Sequence, residues 1–332
     1  MIMKKPIMRK QVPPFTIKLE LTEGCNLHCK FCGISSIRKK PGKFRFMTIE
    51  TAKELIKQIK DAGWTPKIDC AMHGEPLMNK NATEIFRLFR EAFPKIYMYV
   101  TTNGGALLAG DVTKNIDALL EHLNIIALDD YKYAKIVPKV LKGYTGKHKI
   151  FTYPDIKIYN RQNFKMRALL IFPDISQNKK IRARRFNNQA GAAGPADFSI
   201  MKQRCAKPFR EIAIKHDGMV VLCCNDWRRY FRIGTIFERN ITSLWNDKHL
   251  IAARRVLFND GRTFSICHGC NSVAYRTGLL PDLTAKHTML KPSQRCYDLL
   301  KDMESRGSDI EVYIPKFRDN KIKGITQFAK EK

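Results

Sequence analysis

No run of apolar residues in this 332-residue chain reaches the ~18 of a membrane-spanning helix. Its opening, MIMKKPIMRK, has no apolar stretch of the kind a secretory signal carries. Together these absences argue against a membrane-spanning or secreted protein and for a soluble one in the cytoplasm. Acidic residues are also scarce: 31 Asp and Glu stand against 60 Lys and Arg, for a formal net charge of +29. That balance is extreme for a metabolic enzyme, and such a field attracts polyanions, above all nucleic acid. Internal repeats and low-complexity tracts are missing too. What is present is a globular composition, 44% apolar and 27% charged, which excludes a disordered chain. Ten cysteines without a secretory signal argue against a disulfide framework and for metal or cluster ligation.

Period-2 and continuous apolar runs alternate with helical stretches through the first half of the chain. Strands are predicted at 16–22, 67–72, 96–101, 124–129 and 163–173, and helices at 48–62, 80–93, 111–122 and 131–142. Strand alternating with helix at this spacing means parallel βα units, closed as a barrel or left as an open sheet. The loop at 187–195, NNQAGAAGP, reads as a boundary, and from Cys205 the texture changes to short strands and turns. Residues 141–210 hold 16 Lys and Arg against 3 Asp, either a solvated surface or an electrostatic site for an acidic partner.

Cys25, Cys29 and Cys32 form C-x3-C-x2-C directly after the first strand, with Phe31 before the last cysteine. Three thiolates on one loop can hold three irons of a cubane and leave the fourth open to a substrate or cofactor. A zinc site borrowing a distant fourth ligand has the same spacing. The loop's place at the carboxyl end of the first strand is where α/β barrels put their chemistry.

In EGCNLHCKFC (23–32), HGEP (73–76) and TTNG (101–104), the chain resembles the radical S-adenosylmethionine (SAM) superfamily over roughly residues 15–175. The resemblance implies an α/β fold, a partial (β/α)6 TIM-type barrel with a small C-terminal cysteine-rich auxiliary-cluster domain. It implies a [4Fe–4S] cluster on the three cysteines, with SAM chelating the fourth iron and cleaved reductively to a 5′-deoxyadenosyl radical. Gly74 would let backbone approach the methionine moiety, and Glu75 would accept from its ammonium. Read alone, Glu75 before Pro76 is a helix-start carboxylate, and Asn103–Gly104 is a turn. At the end of the third strand, Thr102 and Asn103 are candidate SAM contacts. Ala127 stands where many relatives carry Ser, and Asp129 and Arg167 are weaker candidates.

A second set comprises Cys205, Cys223, Cys224, Cys267 and Cys270. It resembles a SPASM-type segment over about 205–272, with Asp217–Gly218 as the tip of a hairpin delivering Cys223. Cys205, Cys223, Cys267 and Cys270 would close a second, auxiliary [4Fe–4S] cluster; a zinc ribbon also fits the C-x2-C pair. Cys224 reads as an alternative ligand, a hydrogen donor to a substrate radical or a packed thiol. Cys70 reads as core, and Cys296 lies outside the motifs. The organisation expected is a radical SAM core at 15–195, a SPASM-type domain at 196–275 and a C-terminal helical extension or tail at 276–332.

Three functions compete. The first is a radical SAM enzyme acting on a nucleic-acid-linked substrate, with an external electron donor such as flavodoxin or ferredoxin. The second is a radical SAM/SPASM maturase of a ribosomally made peptide, for which the stretch before Thr16 is short for a leader-binding module. The third, a nucleic-acid binder with structural metal, leaves the Glu75 and Asn103 elements as coincidences. The basic charge favours the first reading. Within the superfamily it resembles the enzymes of bacteriophage thymidine hypermodification, which isomerise a glycine adduct on thymine in DNA.

Overall fold

The computed structural model describes residues 13–29, 31–34, 44–131, 134–152, 165–172, 188–196, 198–200, 205–259 and 261–272. The first strand, β1 (Thr16–Leu19), alternates polar and apolar side chains and is buried on both faces. Short β2 (Thr22–Glu23) and β3 (Arg45–Phe46) pair antiparallel as a separate ribbon. Helix α1 (Ile49–Asp61) starts where Thr48 accepts from the Thr51 N–H at 3.1 Å, and it buries Leu55, Ile56 and Ile59. The unit repeats as β4 (Lys67–Asp69), α2 (Ala82–Ala92), β5 (Met98–Thr102), α3 (Val112–Leu120), β6 (Ile125–Asp129) and α4 (Ile136–Gly143). Then follow β7 (Lys149–Thr152) and β8 (Ala168–Phe172).

Past the 188–196 loop come α5 (Lys207–Arg210), β9 (Glu211–Ile214), β10 (Met219–Val221), β11 (Arg232–Thr235), α6 (Ile241–Trp245) and α7 (Lys248–Asn259). All strands except the ribbon join one sheet in the order β11-β10-β9-β1-β4-β5-β6-β8-β7. From β9 to β7 every neighbour is parallel; β10 and β11 add an antiparallel hairpin at one edge. The sheet is open, with β7 and β11 as its edges, so the barrel is partial. Two features depart from the simple repeat. Strand β7, absent from the predicted elements, takes the edge and leaves β8 beside β6. The cysteine-rich segment is not a separate layer, because β9 pairs in register with β1, Thr16 opposite Glu211.

The two faces of the sheet differ in chemistry. Ile17, Leu19, Ile68, Met98, Val100, Ile126 and Leu128 pack with the helices in the main apolar core. Each fully buried aliphatic side chain contributes about 1.5–3 kcal/mol. The opposite face, the lumen, carries a small apolar cluster of Tyr97, Tyr99, Ile125, Ala127, Ala168 and Leu170. Beside it the lumen is polar: Thr16, Lys18, Lys67, Asp69 and Glu211 are all buried there. Cys70 packs in the main core, as its place in the sequence suggested. No described helix is long and apolar enough to cross a membrane.

Candidate active site and metal centres

The cysteine loop leaves the sheet at Gly24, which forms a parallel bridge with Gly74. Gly74 has φ +137°, and a Cβ there would lie 2.4 Å from the carbonyl oxygens of both Thr22 and Gly24. Only glycine permits this approach. Gly74 thus brings backbone close to the cysteine loop, where the Glu75 N–H donates to the Gly24 carbonyl at 2.8 Å. The close contact ties the carboxyl end of β4 to the start of the loop. Cys29 is buried, while Cys25 and Cys32 are partly exposed. Burial pushes the Cys25 thiol up to about 12 and the Cys32 thiol up to about 11. Such thiols stay protonated at neutral pH until a metal displaces the protons. Phe31 packs on Tyr131, with ring centroids 5.5 Å apart.

Glu75 and Asn103 meet beside this loop. The Glu75 carboxylate, 2% exposed, accepts from the Thr102 hydroxyl at 2.5 Å, the Asn103 N–H at 2.8 Å and the Leu77 N–H at 3.1 Å. Burial raises it to about 7, against the opposing pull of those three donors. Asn103 in turn points Nδ2 at Asn26 Oδ1 (2.9 Å) and at Cys25 Sγ (3.7 Å). Thus Cys25, Glu75, Thr102 and Asn103 are brought together from three different strand ends. Gly104 adopts φ +79° and turns the chain after β5. Ala127 is buried in the lumen, Asp129 accepts from the Tyr131 hydroxyl at 3.2 Å, and Arg167 donates to the Met166 carbonyl at 2.9 Å.

Cys205, Cys223, Cys267 and Cys270 line one cavity, together with Lys207, Asn225 and Arg262. The Asn225 N–H approaches Cys223 Sγ at 3.4 Å, and its side chain reaches Cys270 Sγ at 3.8 Å. Arg262, buried, donates to the carbonyls of Cys270 and Ser272 and so braces the C-x2-C turn. Burial pushes the Cys223 and Cys267 thiols well up. Cys224 is not among the residues lining that cavity; its Sγ lies 3.1 Å from Lys207 Nζ and 3.5 Å from Glu211 Oε1. Gly218, at φ +79°, turns the hairpin whose second strand leads to Cys223.

Among the described residues the cysteine sulfurs are not drawn into a preformed zinc tetrahedron. Tetrahedral zinc with bonds of about 2.3 Å holds its sulfurs only about 3.8 Å apart. Among the described residues, the group of three ligand atoms within 4.8 Å of one another is Glu20, Glu23 and His216, and no cysteine belongs to such a group. That trio is engaged in ion pairs instead: Glu20 with His216 (2.9 Å) and Lys215 (2.7 Å), Glu23 with Arg229 (3.1 Å). Four cysteines around one cavity, like three cysteines on one loop, are a donor set that an iron–sulfur cubane accepts.

Sequence reasoning missed the buried network that joins the two halves. His73, fully buried, contacts Glu20 Oε1 at 3.0 Å and the Cys224 carbonyl at 2.5 Å, and its ring lies 4.3 Å from that of Trp227. Burial pushes the Glu20 carboxyl up, but hydrogen bonds from His216 and His73 and the Lys215 charge outweigh it and hold it well below the carboxylate range. The signal was there: polar residues at 16, 18, 20 and 22 alternate with apolar ones, and His73 opens the HGEP motif. Cys296, Arg182, Arg184, Arg185 and the segment 276–332 lie outside the described residues.

The sequence profile of the radical SAM superfamily matches residues 19–139, and that of the SPASM iron–sulfur cluster-binding domain matches 205–271. The chain is similar to an S-adenosyl-L-methionine-dependent 2-deoxy-scyllo-inosamine dehydrogenase of Niallia circulans, 24% identical over 265 residues. That match covers 79% of this chain and 94% of the relative. A GTP 3′,8-cyclase of Photorhabdus laumondii is 28% identical over 137 residues, 41% of this chain and 39% of its own. In fold, the crystal structure of BtrN in complex with AdoMet and 2-DOIA is similar at a TM-score of 0.56 and 20% identity, covering 79% of this chain and 95% of that one. With both domains matched in order along one open, mostly parallel sheet, the chain is a radical SAM superfamily enzyme, whose cofactors are SAM and [4Fe–4S] clusters, the auxiliary one in its SPASM domain.

Proposed function

We propose that Cys25, Cys29 and Cys32 hold the SAM-binding cluster, that Cys205, Cys223, Cys267 and Cys270 hold the auxiliary one, and that the substrate is an adduct carried on nucleic acid. When bound, cluster and SAM supply reductive cleavage and a 5′-deoxyadenosyl radical that abstracts hydrogen from substrate, with the electron coming from an external reductant. The chain's own residues prepare that event. Glu75 offers a desolvated carboxylate to the methionine ammonium, and Asn103 holds the loop at Cys25. Asn225 N–H and Arg262 hold the auxiliary set in shape. The observation that carries this assignment is the meeting of Cys25, Asn103 and Glu75, because it sets a buried anion beside a three-thiol loop that leaves one iron open. We keep 15–195 as the radical SAM core and 196–275 as the auxiliary-cluster segment in functional terms, although they share a sheet.

The nucleic-acid part of the reading rests on the +29 charge and on the resemblance to thymidine-hypermodification isomerases. A glycyl Cα–H adjacent to nitrogen and carbonyl is weak and suits abstraction. A second reading, dehydrogenation of a hydroxylated ring, is favoured by the Niallia relative, which this chain matches along 94% of that protein's length. One experiment separates cofactor from substrate. In anaerobically prepared protein, Cys25, Cys29 and Cys32 changed together to Ala should leave about one cluster by Mössbauer spectroscopy and no 5′-deoxyadenosine. Cys224→Ala should leave both clusters. SAM cleavage surviving the triple change, or stoichiometric zinc in place of the second cluster, would defeat the assignment. On wild type, DNA bearing the glycine adduct should raise turnover where plain DNA does not; acceleration by 2-deoxy-scyllo-inosamine instead selects dehydrogenation.

A further inference from the structure

The lumen face of β9, β1, β4 and β5 carries polar groups that neither the cluster loops nor the Glu75–Asn103 corner uses. Register aligns Glu211 with Thr16, Lys18 with Asp69, and Asp69 with Tyr99. Each of the two carboxylates is satisfied on one oxygen only. Asp69 Oδ2 takes the Lys18 ammonium and the Tyr99 hydroxyl, while Oδ1 has no hydrogen-bond partner among the described residues. Glu211 Oε1 takes Lys207 at 3.3 Å and the Cys224 thiol at 3.5 Å, while Oε2 has no such partner. Asp69 and Glu211 are each 1% exposed. Lys18 is within electrostatic reach of Asp69, Glu211, Cys224 and Lys207, so these side chains form one cluster. The Tyr97 and Thr16 hydroxyls, also buried, add two groups on the same face with no hydrogen-bond partner among the described residues.

A buried acceptor without a donor is costly, and native interiors rarely leave several together. What is missing here is not charge. Asp69 already faces Lys18, and Glu211 already faces Lys207. A cation is therefore not required, and a phosphate would meet two carboxylates. What Asp69 Oδ1 and Glu211 Oε2 lack is a hydrogen-bond donor within reach. Asp69 ends β4, the strand that leads to Glu75, so a group seated against it faces the end of the sheet where SAM belongs, while Glu211 starts β9, level with Thr16.

We infer that Asp69 and Glu211 form a substrate subsite for a polar group presenting two neighbouring N–H or O–H donors, such as an amino alcohol, a vicinal diol or a secondary amine with an adjacent hydroxyl. The inference rests on the proposed SAM site only for its orientation. A free hydroxylated ring and an amine-linked nucleobase adduct both offer this chemistry, and the phosphates of a nucleic acid would then remain outside the lumen.

The test uses reconstituted wild-type protein loaded with SAM, titrated calorimetrically with three probes: 2-deoxy-scyllo-inosamine, a thymidine nucleoside carrying an N-linked glycine, and inorganic phosphate. One of the first two should bind saturably, and which one identifies the source. Glu211→Gln and Asp69→Asn should each weaken that binding about 10–100-fold. SAM titration of the same samples is the control for an intact fold. Should Asp69→Asn fail to fold after losing the Lys18 pair, Glu211→Gln decides alone. The subsite is overturned if neither donor-rich probe binds, if phosphate alone binds, or if binding is indifferent to Glu211→Gln. Loss of SAM binding by the wild type would instead overturn the cofactor reading, so the two failures are distinct.

Discussion

Glu75 is the residue at which burial and function pull in opposite directions. Folding raises its carboxyl to about 7 from an ordinary 4.5, so the folded chain binds that proton more tightly than the unfolded one. Stability without ligand therefore falls as pH rises between those two values. A methionine ammonium requires the ionised form and reverses the preference. SAM affinity should accordingly rise about tenfold from pH 6 to pH 8, following ionisation around 7. Glu75→Gln should flatten that profile, and Glu75→Ala should weaken SAM binding on the order of 1.5–3 kcal/mol. Calorimetric titration at the two pH values checks both. A flat wild-type profile with unchanged affinity in the Ala variant would reduce Glu75 to the cap of the Pro76–Met78 turn. That second role is real, since its carboxylate accepts the Leu77 N–H.

At the scale of elements, the close approach of Gly74 to the Thr22–Gly24 segment decides where the cysteine loop begins. A methyl group at 74 would have to push two backbone carbonyls aside while holding an unfavourable φ of +137°. Gly74→Ala should cost about 2–4 kcal/mol and lower the thermal midpoint by several degrees. It should also reduce iron retained on the first cluster, because the loop start moves. Thermal melts and iron analysis measure this, and an Ala variant with wild-type stability would remove the argument. Helix α1 was legible in the sequence because Thr48 caps it and Leu55, Ile56 and Ile59 share a face. Strand β7 was not. Its residues KIFT are short and exposed, and only pairing with β8 makes them a strand.

For the whole molecule, electrostatics is the property that remains to be tested. If the excess of basic residues serves a nucleic-acid substrate, log K for duplex DNA should fall with log[salt] by about 0.9 for each neutralised phosphate. Replacing Arg182, Arg184 and Arg185 together should lower that slope by up to about 3 and weaken binding across sequences. Filter binding or fluorescence anisotropy across a salt series reads this directly. An unchanged slope would leave those three arginines as solubilising surface.

Motif spacing in the sequence determined the three-thiol loop, the Glu75 and Asn103 elements and the second cysteine set, because cluster chemistry constrains residue type and interval together. Alternation of strand and helix determined a parallel α/β sheet for the same local reason. Tertiary structure decided what no local pattern can. The polar positions 16, 18 and 20 look like a solvated face in the sequence. Here they are buried, because β9, 195 residues further along, pairs with β1 and sets Glu211 and Lys215 beside them. Cys224 meets Glu211 of β9 while Cys223 lines the cavity with the other three cysteines, and the Cys224 carbonyl connects His73 to the second cysteine segment. Period 2 fixes which side chains share a face; only the partners that cover that face fix whether it meets water, protein or substrate.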